Sequence, residues 1–196
     1  MRIALLALCV VRLSACGPRT EKPIEQPPTS PSATPSPAIT SGEWGAPNIN
    51  VCALLAREQV AAIQNTTIAN VLSTGRPDGD LLVSQCVYNA EAPSDSVIVS
   101  AIERNAQAGP GGGTREFWRK TFDEKEERGK EEEEKEFIPP QKIEGLADEA
   151  YWMGGALYSL KNEIILRVSV GGVGDEQSKL QKSRTLSEQA LARLFP

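Results

Sequence analysis

From Asn48 onward the apolar positions recur first every three or four residues and then every second residue, which predicts helices and strands in turn. Asn50 is placed to cap a helix in which Cys52, Leu55, Ala56, Val60 and Ile63 share one face. Strand-like runs follow at Thr67 to Leu72, Leu82 to Asn89 and Ser96 to Glu103, the last with Val97, Val99 and Ala101 on one side. Turn chemistry separates them at Arg76-Pro77-Asp78-Gly79-Asp80 and at Glu91-Ala92-Pro93-Ser94-Asp95. A glycine-rich loop, Gly109 to Gly113, leads into Thr114, which is placed to cap a helix beginning Arg115-Glu116-Phe117-Trp118.

The order then repeats. After Pro139-Pro140 come strand-like runs at Glu149 to Met153, Ala156 to Leu160 and Ile164 to Val170, the last two joined by a tight turn at Lys161-Asn162. Thr185 with Glu188 reads as a capping box opening a last helix whose Ala190, Leu191 and Leu194 share a face. The expectation is an α+β domain: a mostly antiparallel sheet of about six strands with helices packed on one face, built as two helix-plus-three-strand units.

Before Asn48 neither period is present. Met1-Arg2, an apolar run from Ile3 to Val11, and small residues ahead of Cys16 make a secretory leader. A spanning helix needs about 20 apolar residues, and this run is too short and ends in Arg12. Leu13-Ser14-Ala15-Cys16 resembles the lipobox of bacterial lipoproteins. That resemblance implies cleavage after Ala15, a diacylglyceryl group on the Cys16 sulfur and acylation of the new amino terminus, palmitate included. Two acyl chains suffice for stable anchoring, at roughly 0.8 kcal/mol per buried methylene. Gly17 is not the Asp that resembles an inner-membrane retention signal, so in a host with two membranes the outer one is expected.

Residues 16–47 read as the lipidated cysteine and its tether. Eight of the 14 prolines lie here, at 18, 23, 27, 28, 31, 35, 37 and 47, among Ser, Thr and Ala that cannot pack a core. In a polyproline-II state thirty residues reach at most about 90 Å, at ~3.1 Å each. The remaining residues, 48–196, suffice for one hydrophobic core.

Composition narrows the chemistry. The chain has 21 Lys and Arg against 26 Asp and Glu; loss of Arg2 and Arg12 with the leader leaves 19 against 26, a net of −7. An acidic body gives no footprint for a nucleic-acid backbone and stands off an anionic bilayer. There is no histidine, which removes the commonest general base and the commonest zinc ligand together. Of four cysteines, Cys9 leaves with the leader and Cys16 is the anchor, so Cys52 and Cys86 remain as an exported pair, a disulfide in an oxidising compartment. Redox or metal chemistry at this pair would need a C-x-x-C spacing, a histidine or a third thiol.

At these positions the chain resembles a loose group of small bacterial envelope lipoproteins of unknown function. The residues that carry the likeness are Val51-Cys52-Ala53-Leu54-Leu55, Gln85-Cys86-Val87-Tyr88, Gly145 to Trp152, and Ala190-Leu191-Ala192-Arg193-Leu194. The resemblance implies an envelope domain with one disulfide and brings no catalytic residues. The acidic segment 123–136, with eight Glu and one Asp among three Lys and one Arg, is longer than the group's pattern and reads as an insertion with a solvated face.

Other constellations read as structure. The loop 109–113 precedes a helix, where backbone amides bind phosphate, but it lacks the Gly-Lys-Ser/Thr ending of a P-loop and carries Glu116 close by. Asp78 and Asp80 sit in a turn without the rest of a calcium loop. Tyr151 and Trp152 are adjacent on a strand and therefore point to opposite faces, one toward the core and the other exposed or under a loop. They mark the expected binding surface. The sequence thus favours a membrane-tethered, non-enzymatic binding or accessory module of the bacterial envelope, with no catalytic, metal or cofactor site and no nucleic-acid partner. Its partners would be the membrane, through the anchor, and an envelope protein. The alternative is a small-ligand or lipid carrier with a pocket between sheet and helices.

Overall fold

The computed structural model describes residues 48–107, 112–123 and 138–196. The leader, Cys16, the tether to Pro47, Gly109 to Gly111 and all but the first residue of the acidic segment lie outside the described residues. Seven strands form one antiparallel sheet: β1 (Ile68–Asp78), β2 (Leu81–Ala90), β3 (Val97–Arg104), β4 (Gln141–Lys142), β5 (Glu149–Met153), β6 (Ala156–Lys161) and β7 (Ile164–Val170). Their order is β1-β2-β3-β7-β6-β5-β4. Two meanders, β1 to β3 and β4 to β7, therefore meet where β3 lies against β7, in a register from Val97↔Val170 to Ile102↔Ile165. Three helices accompany the sheet among the described residues: α1 (Arg57–Gln64), α2 (Thr114–Thr121) and α3 (Glu176–Leu194).

The hairpin turns follow from backbone chemistry. Gly79 has φ 59° at the first central position of the β1–β2 turn, and Asp78 closes it opposite Leu81. From that closing pair the even-numbered residues of β1 hydrogen-bond to β2, and the odd-numbered ones turn their amides outward. Pro77 is odd-numbered, so its missing N–H costs the sheet nothing and β1 runs on through it to Asp78. The turns Gly154-Gly155 (φ 56° and 71°) and Asn162-Glu163 (φ 47° and 63°) are both left-handed at their two central positions. The second lies one residue beyond the expected Lys161-Asn162, because Lys161 pairs with Ile164.

The sheet buries both faces, and this departs from the expectation of helices on one. On the first face, Tyr88, Cys86, Val97, Val99, Ala101, Leu157, Leu166, Val168 and Val170 pack with α1 and α3 residues such as Val60, Leu186 and Ala190. On the second, Ile102, Tyr151, Leu160 and Ile165 pack under Trp118 of α2 and Phe122, which caps its C-terminal end. The reason is in the alternation itself. Residues 102, 151, 160 and 165 sit between first-face neighbours on their strands, and together they make a second apolar patch that needs its own cover. The two units consequently differ, since α1 and α2 lie on opposite faces of the sheet. The strand count is seven because β4 adds a two-residue edge beside β5.

The first predicted helix is broken in two. Val51–Ala53 forms a 3-10 turn, and α1 starts only at Arg57. Val51, Leu54 and Leu55 around the break are all buried. Gln59 takes up the Ala56 N–H at 2.9 Å, and the buried Tyr88 hydroxyl donates to the Leu55 carbonyl at 2.8 Å. Burial pushes the Tyr88 phenol up in pKa, and Arg193 opposes it. α3 also starts earlier than the Thr185–Glu188 box. Asp175 caps it, accepting the Ser178 N–H at 2.7 Å, whereas Thr185 donates to the Gln181 carbonyl and Glu188 pairs with Arg184 at 3.0 Å. At the first described residues, the buried Glu103 carboxylate accepts from Asn48 N at 2.8 Å, Asn48 Nδ2 at 3.0 Å and Ile49 N at 3.3 Å.

Cys52 and Cys86 form a disulfide, with Cα atoms 5.1 Å apart. It ties the 3-10 turn to the second strand across a sequence separation of 34. Closing a loop of that size limits the unfolded chain by roughly 3.8 kcal/mol in the chain-entropy model. The intact mass of the non-reduced protein should be two hydrogens below that of the reduced chain. Cys52→Ser/Cys86→Ser should then unfold at a lower denaturant midpoint by roughly that free energy.

Candidate functional site

The β5–β6 hairpin carries both expected site residues, and the structure places both in the core. Trp152 is 7% exposed on the first face and Tyr151 5% exposed on the second. The opposite orientation follows from strand alternation, but neither ring is displayed, because each sheet face has a helix above it. Tyr151 stacks on Phe122 with ring centroids 5.0 Å apart and planes within 4°, and Trp118 lies 5.8 Å from it. The Trp118 Nε1–H donates to Glu149 Oε2 at 2.9 Å. Trp152 pairs across the hairpin with Leu157, and its Nε1–H donates to Glu176 Oε2 at 3.2 Å.

What the hairpin does offer is a depression of about 600 Å³ beside its turn. Its walls are Ile138, Pro139, Gln141, the edge of Trp152, Met153, Gly154-Gly155 and Glu176. Three elements build it. Gln141 of β4 lies opposite Trp152. The glycine pair turns the hairpin with φ 56° and 71°, conformations that side chains rarely adopt. The first turn of α3 delivers Glu176, which also meets Lys179 at 3.9 Å. Ile138 is 86% exposed at the rim, a large apolar side chain held out in water. The chemistry is apolar walls with one carboxylate and one amide, suited to an apolar group carrying a hydrogen-bond donor.

Sequence reasoning selected Tyr151 and Trp152, within the 149–155 segment, but not Ile138, Pro139, Gln141 or Glu176. The available signal was Ile138-Pro139-Pro140, an apolar residue beside two prolines directly after a highly charged stretch. Nothing local announces that α3 brings Glu176 there.

Two further concavities carry opposed charges. A depression of about 380 Å³ beside α2 is lined by Arg115, Arg119, Glu116, Asp123 and Glu149 around Trp118 and Leu160, with Arg115 and Glu149 at 4.0 Å. At the start of α2, Gly113 is the N-cap, and Glu116 pairs with Lys120 at 2.6 Å. That hydrogen bond and the charge of Lys120 hold the Glu116 carboxyl below its ordinary range. Glu116 thus stays anionic where a phosphate would bind. Asp78 and Asp80 line a smaller hollow with Glu116 and Lys120, and Asp78 meets Arg76 at 3.8 Å. Among the described residues no group of three or more His, Cys, Asp or Glu is arranged to hold a metal ion. No described helix is long and apolar enough to cross a membrane.

No protein-family model matches the chain, and neither a curated protein nor a solved structure matches it.

The Asp175 cap sets where α3 begins, and so the height at which Glu176 meets Trp152. Hydrogen bonds from Ser178 hold the Asp175 carboxyl below its ordinary pKa. A carboxylate depressed on folding contributes stability that is full above the ordinary carboxylate range and is lost as pH falls through its folded value. Asp175→Ala should lower the melting temperature at neutral pH, with a smaller deficit in acid below that lowered value. Asp175→Asn, which caps without ionising, should keep most of the neutral-pH stability and flatten this part of the acid limb. Melting curves of the three proteins across the acid range measure both effects.

Proposed function

We propose that the chain is a bacterial envelope lipoprotein, cut after Ala15 and acylated on Cys16, whose residues 17–47 tether a non-enzymatic binding module. In a host with two membranes it sits on the outer one. The lipobox residues support the anchor, and the Cys52–Cys86 disulfide is in keeping with an oxidising, extracytoplasmic address. The observation that carries the binding role is the depression beside the β5–β6 turn. There, an exposed isoleucine and a half-buried methionine flank the edge of a tryptophan whose own polar atom is already satisfied. Such a surface gains from covering apolar area and owes nothing to hydrogen bonding of the ring. Its partner is an apolar side chain presented by another envelope protein.

A small-ligand carrier is the second reading, favoured by the volume of about 600 Å³, within the range of ligand pockets. The location differs from a pocket between sheet and helices, since this depression opens beside a hairpin turn and the first turn of α3.

Two experiments separate these statements. Cys16→Ser should move the protein from the membrane fraction to the soluble one, and a clickable fatty acid should label only the wild type. Membrane retention of that variant would sink the anchor. For the module, Ile138→Ser removes the exposed apolar rim without touching the buried rings, whereas Met153 packs against the second-face core and is left in place. Crosslinking in the native host should then lose its partner at unchanged melting temperature. Native mass spectrometry of the wild type that shows a bound small molecule, with no protein crosslinked, would favour the carrier.

A further inference from the structure

The other end of the sheet is the β1 edge, and its chemistry is independent of the hairpin depression. β1 is eleven residues long, and all but Ile68 and Pro77 are exposed. Its register against β2 shifts only between Ile68 and Asn70, so the stretch from Asn70 to Asp78 is unbulged. Because the even-numbered residues bond to β2, the N–H and C=O groups of Val71, Ser73 and Gly75 point out from the sheet. No described residue fills these six groups.

Both ends of this open run are closed. At one, Arg57 places its guanidinium on the Ile68 and Ala69 carbonyls. At the other, Pro77 has no N–H to offer. From Val71 to Gly75 there is no charged side chain, bulge or proline, the devices by which edge strands are kept from pairing, and Arg76 stands just beyond that run. Val71 and Leu72 are instead 37% and 53% exposed, on opposite faces of the same edge.

We propose that β1 is the surface through which two copies of this chain pair, edge to edge and antiparallel, about a two-fold axis at Ser73. The open run sets the register. With the axis at Ser73, Val71 faces Gly75 of the second copy and Ser73 faces Ser73, so all six outward groups on each strand find partners. Moving the axis to Leu72 sets Gly75 against Ala69, whose carbonyl Arg57 already holds. Moving it to Thr74 sets Val71 against Pro77, which lacks the donor.

The side chains agree with that register. On one face Val71 lies over the bare backbone of Gly75, and on the other Leu72 lies beside Thr74. Arg76 falls opposite Asn70, so no like charges meet across the pair. Self-pairing is therefore complementary in hydrogen bonds, shape and charge, as a two-fold interface must be.

The test uses the full chain in detergent. Sedimentation equilibrium should show a dimer for the wild type. Ser73→Pro removes an outward N–H and leaves the bonds to β2 intact. It should weaken the dimer by roughly tenfold or more, through two lost interchain bonds, at nearly unchanged melting temperature. Leu72→Lys, at an exposed position, should weaken it as well without the proline's backbone constraint. With Cys16 acylated and Cys52–Cys86 bonded, an introduced cysteine is the one free thiol. A short bis-maleimide should then join Ser73→Cys copies, but not Val71→Cys or Gly75→Cys copies, whose paired positions lie about 13 Å apart along the strand. A wild type that stays monomeric, a dimer indifferent to both edge variants, or crosslinking that peaks at another position would overturn the proposal. So would loss of a foreign protein from pull-downs by Ser73→Pro while the wild type remains monomeric, since the edge would then take another chain's strand.

Discussion

The β3–β7 pairing is the contact on which the rest of the structure depends. Every other neighbouring strand pair in the sheet belongs to a meander, but β3 and β7 come together from positions separated by α2, the acidic segment and three further strands. Their six-residue register sets Val97, Val99 and Ala101 beside Val170, Val168 and Leu166 on one face. On the other it sets Ile102 beside Ile165. A slip of one residue would exchange these sets, turning the first-face core toward the α2 side. Such non-local pairing is slow to form, and each meander alone would leave an apolar face open to water. Neither half is therefore an independent unit.

The two faces solve burial differently. α3 packs against the sheet, β6 included, through small residues, Ser183, Ser187 and Ala190, and these and Ser159 of β6 are fully buried. The three serine hydroxyls have no hydrogen-bond partner among the described residues, a polar cost accepted where close approach leaves no room for larger side chains. α2 is a single short helix and meets its face with large rings instead, Trp118 and Phe122 against Tyr151 and Tyr158. Both indole N–H groups under these helices reach carboxylates, Glu149 for Trp118 and Glu176 for Trp152. The buried rings thus carry satisfied polar atoms, and the energy they offer is spent on the fold.

This explains what the sequence made legible. Apolar runs bounded by turn residues located six of seven strands, although only β2 alternates cleanly along its length. They missed Gln141–Lys142, two exposed polar residues whose strand exists only because β5 lies beside them. The cysteine pairing was legible by elimination. Helix starts were not: Ala56 caps α1 with help from the Gln59 side chain, and Asp175 outranks the Thr185–Glu188 box because the polar stretch from Glu176 to Arg184 forms helix readily and contributes Leu180 and Ser183 to the core. The sequence also could not say which of Tyr151 and Trp152 would be covered. That depends on the existence of a second apolar face, assembled from single residues on four strands. The depression has the same character, since its wall combines residues from 138 to 176 that share no local pattern.

The strand order keeps the two proposed surfaces apart. β1 and β4 are the edges of a seven-stranded sheet, separated by about 29 Å at the usual strand spacing of ~4.8 Å. A second copy paired on β1 would leave the depression beside β4 and β5 open in both copies. Asn48, where the described residues begin, is clamped by Glu103 to β3, one of the central strands, so under the proposed lipid anchor tension would be carried to the middle of the sheet and not to either edge. A dimer held this way would present two equivalent depressions at fixed separation above one membrane. A partner reaching both gains the effective concentration of the second site without any new contact, so weak apolar contacts at each depression would suffice for stable capture.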